Sequence, residues 1–112
     1  KTNNHLVIEG AGGILVPLND TNTILDLIKP NYKIIVVSRH YLGSINHTLL
    51  TLKILQEKGL DIAVIFSGDA HPTTEQIIEK MANVRVIGRI EEEPYFDQNV
   101  IKEYADKFRD NL

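Results

Sequence analysis

Apolar residues in this chain gather into four short runs, His5–Glu9, Lys33–Ser38, Asp61–Ser67 and Arg85–Ile90. Between the runs they return every three or four positions. "KIIVVS" and "DIAVIFS" are continuous rather than alternating, which predicts parallel strands covered on both faces. Ser44–Lys58 carries Ile45, Leu49, Leu52 and Leu55 at helical spacing, with Ser44 able to cap its start and Gly59 placed to end it. Thr21–Ile28 predicts a shorter helix. Thr73–Met81 follows a Thr-and-acid start in "PTTEQ", and Gln98–Leu112 sets Ile101, Tyr104, Ala105 and Phe108 on one face. Strand and helix alternate, so the expected fold class is α/β: a parallel sheet with right-handed crossover helices.

Composition narrows this picture. A chain of 112 residues, 43% hydrophobic, supports a single α/β domain over residues 1–112 with one modest core. The net charge of −3 is spread among interspersed acids and bases with no basic stripe, so nucleic acid is not an expected partner. Cysteine is absent, which excludes disulfides and thiolate metal sites. No run approaches the roughly 18 apolar residues of a membrane span, and no signal-peptide pattern opens the chain. A cytoplasmic location is expected, and the sequons at Asn19 and Asn46 are read as chance.

Ligands of parallel α/β sheets sit outside the carboxyl ends of the strands. That directs attention to Glu9–Gly13, Ser38–Asn46, Ser67–Pro72 and Ile90–Pro94. In "VIEGAGG", Glu9 is a hard oxygen ligand suited to Mg²⁺, and the glycines let backbone N–H groups approach an anion. The same residues read equally as a turn with a solvated carboxylate. "SRHYLGSINHTLLTL" offers a free helix start that can take a carboxylate or phosphate, with Asn46 adding an amide; an ordinary capped crossover helix is the alternative. His47 reads as structural, and His5, His40 and His71 lack metal-ligand spacing. "FSGDAHP" and "GRIEEEP" could line a purine with backbone groups, or be solvated loops.

Taken together, "VIEGAGGILVPLND", "LGSINHTLLTLKILQEKGL", "VIFSG" and "VIGRI" resemble the carboxyl-terminal half of the dethiobiotin synthetases. The resemblance implies a P-loop NTPase-like fold, a homodimer with active sites at the interface, and an ATP-dependent ligase of biotin biosynthesis. Its substrates would be 7,8-diaminononanoate and CO₂ or bicarbonate, with Mg²⁺ as cofactor. Carried over by position, Glu9 ligates Mg²⁺, and Gly10, Ala11, Gly12 and Gly13 lie against the nucleotide and reacting groups. Ser67, Gly68, Ile90 and Glu91 also fall on the nucleotide side. Leu42, Gly43, Ser44, Ile45 and Asn46, with Pro17, fall on the substrate side, the 42–46 turn holding the distal carboxylate across the subunit interface. Ser67-Gly68 stands where the family commonly carries an adenine-reading Asn, and "GRIE" replaces a G-x-I-P turn.

No G-x-x-x-x-G-K-[ST] motif occurs in the sequence. In the family that loop belongs to an amino-terminal half, so the expectation is a carboxyl-terminal half without its P-loop half, inactive by itself. The alternative function is a non-catalytic, synthetase-like ligand-sensing or regulatory domain.

Overall fold

A computed structural model of the chain describes residues 3–112. Two compact units are present, Lys1–Pro30 and Asn31–Leu112.

In the second unit, strands β1 (Lys33–Arg39), β2 (Asp61–Ser67) and β3 (Arg85–Ile90) form a parallel sheet in the order β1-β2-β3. Helices α1 (Ser44–Glu57) and α2 (Pro72–Ala82) make the two crossovers, and α3 (Gln98–Phe108) follows β3. The strands are paired in parallel, Lys33 with Asp61 through Arg39 with Ser67, as the continuous apolar runs predict. Successive side chains of a strand point to opposite faces, and two clusters result. Val64 and Phe66 pack with Leu52 of α1 and Ile78 of α2 on one face. Ala63, Ile65 and Ile87 pack with Phe108 of α3 on the other. Leu52, Leu55, Val64 and Ile78 are fully buried, each contributing about 1.5–3 kcal/mol relative to exposure.

Only β2 is covered on both faces as expected. On β1, Ile35 and Val37 are 44% and 64% exposed, because α1 and α2 shield only the face carrying Val36. On β3 the register slips by one: Val64 pairs with Val86, but Ile65 pairs with Gly88. The extra residue, Ile87, is a β-bulge that reverses which face the following side chains take.

Helix ends differ in detail from the sequence expectation. The N-cap of α1 is Gly43 at φ 95°, and Ser44 is instead buried inside the first turn. The start of α2 is set by Pro72 at its first position behind His71, with no side-chain cap from Thr73 or Thr74. Pro fits there because its missing N–H would be unpaired anyway. The final helix stops at Phe108 and tightens into a 3₁₀ turn over Arg109–Asn111. Of its expected apolar face, Phe108 and Tyr104 pack against the sheet while Ile101 stays 57% exposed.

In the Lys1–Pro30 unit the expected first strand is absent: His5–Glu9 is irregular, with Leu6, Val7 and Ile8 70%, 89% and 57% exposed. A strand exists through its hydrogen-bonded neighbours, and no described residue pairs with this run. Further on, Pro17 and Thr23 form an antiparallel bridge. Asn19 Oδ1 accepts from the N–H groups of Thr21 and Asn22 at 2.9 and 2.8 Å, turning the chain between them. That turn uses up the residues expected to start a helix at Thr21, leaving a 3₁₀ segment at Ile24–Leu27. Asp26 Oδ2 holds its start by accepting from Thr23 N–H at 2.7 Å.

Candidate functional site

The loop leaving β1 runs directly into α1. Gly43 adopts a left-handed conformation that a Cβ would strain, although nothing lies within 4 Å of where that Cβ would sit. The constraint is therefore on the backbone rather than on space. Ser44 N–H donates to Tyr41 O and His47 N–H to Gly43 O, both at 3.0 Å. Among the described residues no protein acceptor meets the N–H groups of Ile45 and Asn46. A helix start with unpaired N–H groups carries partial positive charge. Across the loop, Tyr41 Oη and His47 Nδ1 lie 2.5 Å apart, and Ser38 Oγ and Thr48 Oγ1 make a buried hydrogen bond of 2.8 Å that ties α1 to β1.

Leu42, Gly43, Ser44, Ile45 and Asn46 all line one open cavity of about 680 Å³. Its other walls include His40, His71 and Thr74. Behind them lies a charged chain. Glu75, on the first turn of α2, accepts from Arg89 Nη2 at 2.6 Å and from Arg89 Nη1 as well. His40 Nε2 lies 3.2 Å from Glu75 Oε1. Burial works against ionisation of Glu75, but the hydrogen bonds and charges of Arg89 and His40 outweigh it and hold the carboxyl below its ordinary range. The Glu75 hydrogen bond in turn holds the Arg89 guanidinium above its ordinary value. His40 stacks on Phe66 with ring centroids 5.7 Å apart, and its buried Nδ1 has no partner among the described residues.

Sequence reasoning missed His40, His71, Glu75 and Arg89. The available signal was position: both histidines follow strand ends, and testing them only for metal-ligand spacing passed over them. Glu75 and Arg89 gave no signal, since they meet only through the fold.

The residues expected on the nucleotide side meet at the β2 and β3 ends. Ser67 and Ile90 are register partners, and Gly68 N–H donates to Ile90 O at 2.8 Å. Glu91 N–H donates to Tyr104 Oη at 3.0 Å, and that hydroxyl donates to Glu93 at 2.6 Å. The Glu93 hydrogen bond, with burial, raises the Tyr104 hydroxyl above its ordinary value. These backbone N–H groups are thus already engaged within the fold. Glu92 is engaged too, pairing with Arg39 at 2.8 Å.

Glu9, Gly10, Ala11, Gly12, Gly13 and Pro17 belong to the other unit. Gly12 and Gly13 take φ of 84° and 121°. A Cβ on Gly10 would sit 3.1 Å from Ile24 Cγ2, and one on Gly12 would sit 3.1 Å from Val16 Cγ2. The glycines therefore let the turn close over its own side chains. Glu9 is exposed, and no group of three or more metal-ligating side chains occurs among the described residues. A single exposed carboxylate such as Glu9 has the chemistry an ion such as Mg²⁺ takes, one or two carboxylates with water and phosphate oxygens filling its shell.

Comparison with known proteins bears on both units. A family model described as an AAA domain matches residues 1–100. The chain belongs to this AAA domain family. The match and the parallel strands with their helices agree with the expected P-loop NTPase-like α/β class. This AAA-domain chain is 61% identical, over 113 residues, to the ATP-dependent dethiobiotin synthetase BioD of Christiangramia forsetii, covering 100% of this chain and 55% of that protein. It is 43% identical over 110 residues to the protein of the same name from Cytophaga hutchinsonii, covering 96% and 53%. For that of Paramagnetospirillum magneticum the identity is 40% over 95 residues, covering 83% and 46%. The chain thus spans about half the length of the curated relatives it matches. No solved structure matches it. No helix among the described residues is long and apolar enough to cross a membrane.

Proposed function

We propose that this chain is part of an ATP-dependent dethiobiotin synthetase, a ligase of biotin biosynthesis. The observation that carries the reading is the 61% identity to a dethiobiotin synthetase across the whole chain. The open helix start on the cavity wall supports it. On this reading CO₂ adds to one amine of 7,8-diaminononanoate as a carbamate, and ATP phosphorylates the carbamate. Attack by the second amine then closes the cyclic urea, releasing phosphate.

Each unit has its own task. At the α1 start, the N–H groups of Ile45 and Asn46 and the Asn46 amide hold the substrate's distal carboxylate, fixing the length of chain between it and the amines. Gly43 sets the backbone that presents them. In the other unit the Gly10–Gly13 turn lies against the phosphates, and Glu9 is the protein ligand for Mg²⁺. When bound, that ion neutralises charge on the transferring phosphoryl group. Ser67, Gly68, Ile90 and Glu91 border the base, with Pro17 on the substrate side. The enzyme works as a homodimer with the 42–46 turn serving the partner's site.

The test is a chimera joining this chain to the portion of the Christiangramia forsetii protein outside the match. With ATP, Mg²⁺, bicarbonate and the diamine it should form dethiobiotin, and Asn46→Ala should raise KM for the diamine about tenfold. A folded chimera that binds ATP and the diamine yet forms no dethiobiotin would overturn the proposal.

A further inference from the structure

His71 stands at the N-cap of α2, on the wall of the cavity that holds the 42–46 turn. None of the described residues lining that cavity is acidic. The nearby carboxylate, Glu75, lies behind His40 and is committed to Arg89, itself also 3.3 Å from Glu91. The cavity therefore holds the positive end of α1 and two imidazoles, with no anion among its lining side chains.

The two rings divide the work. Glu75 is ionised and can only accept, so its bond to His40 requires the proton on His40 Nε2. The buried Nδ1 of that ring meets no partner among the described residues. His40 is held from beneath by Phe66 and from the side by Glu75, and its side chain is only 15% exposed. The His71 ring lies against it, centroids 5.6 Å apart, and His71 Nδ1 is fixed 2.6 Å from Thr74 Oγ1. His71 is exposed, its Nε2 meets no partner among the described residues, and a carboxylate brought beside it would favour its charged form. Tyr41, from the β1 loop, also lines the cavity and is paired with His47, while Asp69 lies two residues before His71 in the chain.

We infer that His71, oriented by Thr74 and His40, is a carboxylate-binding residue of this cavity that pairs as an imidazolium with the anion held at the α1 start. The inference rests on the proposed function, in which that anion is the carboxylate of 7,8-diaminononanoate. An imidazolium N–H to a carboxylate is a charge-assisted hydrogen bond, about twice as strong as a neutral one.

The test compares binding of 7,8-diaminononanoate with binding of its methyl ester, which shares the amines and lacks the charge. In the complete protein the acid should bind about tenfold more tightly than the ester at pH 6, with a smaller preference at pH 8. His71→Ala, and His71→Asn as a good N-cap, should remove most of that preference without changing ester binding. An NMR titration of the His71 ring should show its midpoint rising with the acid and not with the ester. A preference unchanged in both variants, or a midpoint indifferent to the acid, overturns this inference alone. Equal binding of acid and ester to the unaltered protein would instead overturn the carboxylate reading of the cavity.

Discussion

Glu75→Gln removes the anion shared by Arg89 and His40 while keeping the shape of the side chain. Breaking a fully buried ion pair costs about 3–5 kcal/mol, whereas an exposed pair is worth about 1 kcal/mol or less. Here the side chains are 11% and 21% exposed, which places the pair between those limits. The guanidinium is not stranded, because its Nε remains 3.3 Å from Glu91, and Gln can still accept one hydrogen bond. We expect a loss of about 2 kcal/mol. With a urea slope of about 1–3 kcal/mol/M, the unfolding midpoint of the complete protein should fall by roughly 1 M, the slope unchanged. Acid should erase the difference. A carboxyl depressed in the folded state stabilises in full above its unfolded value, and that contribution is lost as pH falls through the folded value. Glu75 is depressed, so wild type and variant should converge as pH drops below about 4.3. A neutral-pH difference under about 0.5 kcal/mol, or one that does not change with acidification, would refute the coupling argued for this pair.

Three further expectations follow from single positions. Gly88→Ala would place a Cβ 2.5 Å from Phe108 Cε1, so it should destabilise by about 1–3 kcal/mol and loosen α3, read as faster proteolysis; Phe108→Leu should partly relieve it. Gly43→Ala meets no steric contact but strains a φ of 95°, and should cost about 1 kcal/mol in thermal unfolding while weakening diamine binding. Glu9→Gln should leave the unfolding midpoint within about 0.5 kcal/mol, since the side chain is exposed, and should sharply reduce Mg²⁺-dependent turnover; unchanged turnover would remove Glu9 from the metal site.

The elements most legible in the sequence are those whose burial is decided close by. Asp61–Ser67 and Arg85–Ile90 have the expected strand bounds, and α1 was readable from its periodicity and from Gly59. His5–Glu9 was not, because an apolar run becomes a strand only when another strand pairs with it. The open face of β1 was hidden for the same reason: "KIIVVS" records what the strand can bury, not what covers it. The start of α1 just after Gly43 was legible because helix-start signals are local. The Arg89–Glu75–His40 chain was not, since its members lie 35 and 14 residues apart and meet only across α2 and the sheet.

That chain depends on the one-residue slip in β3. Counting from Val86 by strict alternation would send Arg89 toward the Phe108 cluster and Ile90 toward α2. Because Ile87 is supernumerary, Arg89 is instead the partner of Phe66 and reaches Glu75, while Ile90 packs beside Tyr104. The identity of the residues is thus insufficient; their count is what sorts charge from oil. Losing the Ile87 codon would leave Arg89 two places beyond Val86 and still facing Glu75, whereas gaining a codon there, with one bulge kept, would drive a guanidinium against an aromatic ring and present an isoleucine to a carboxylate.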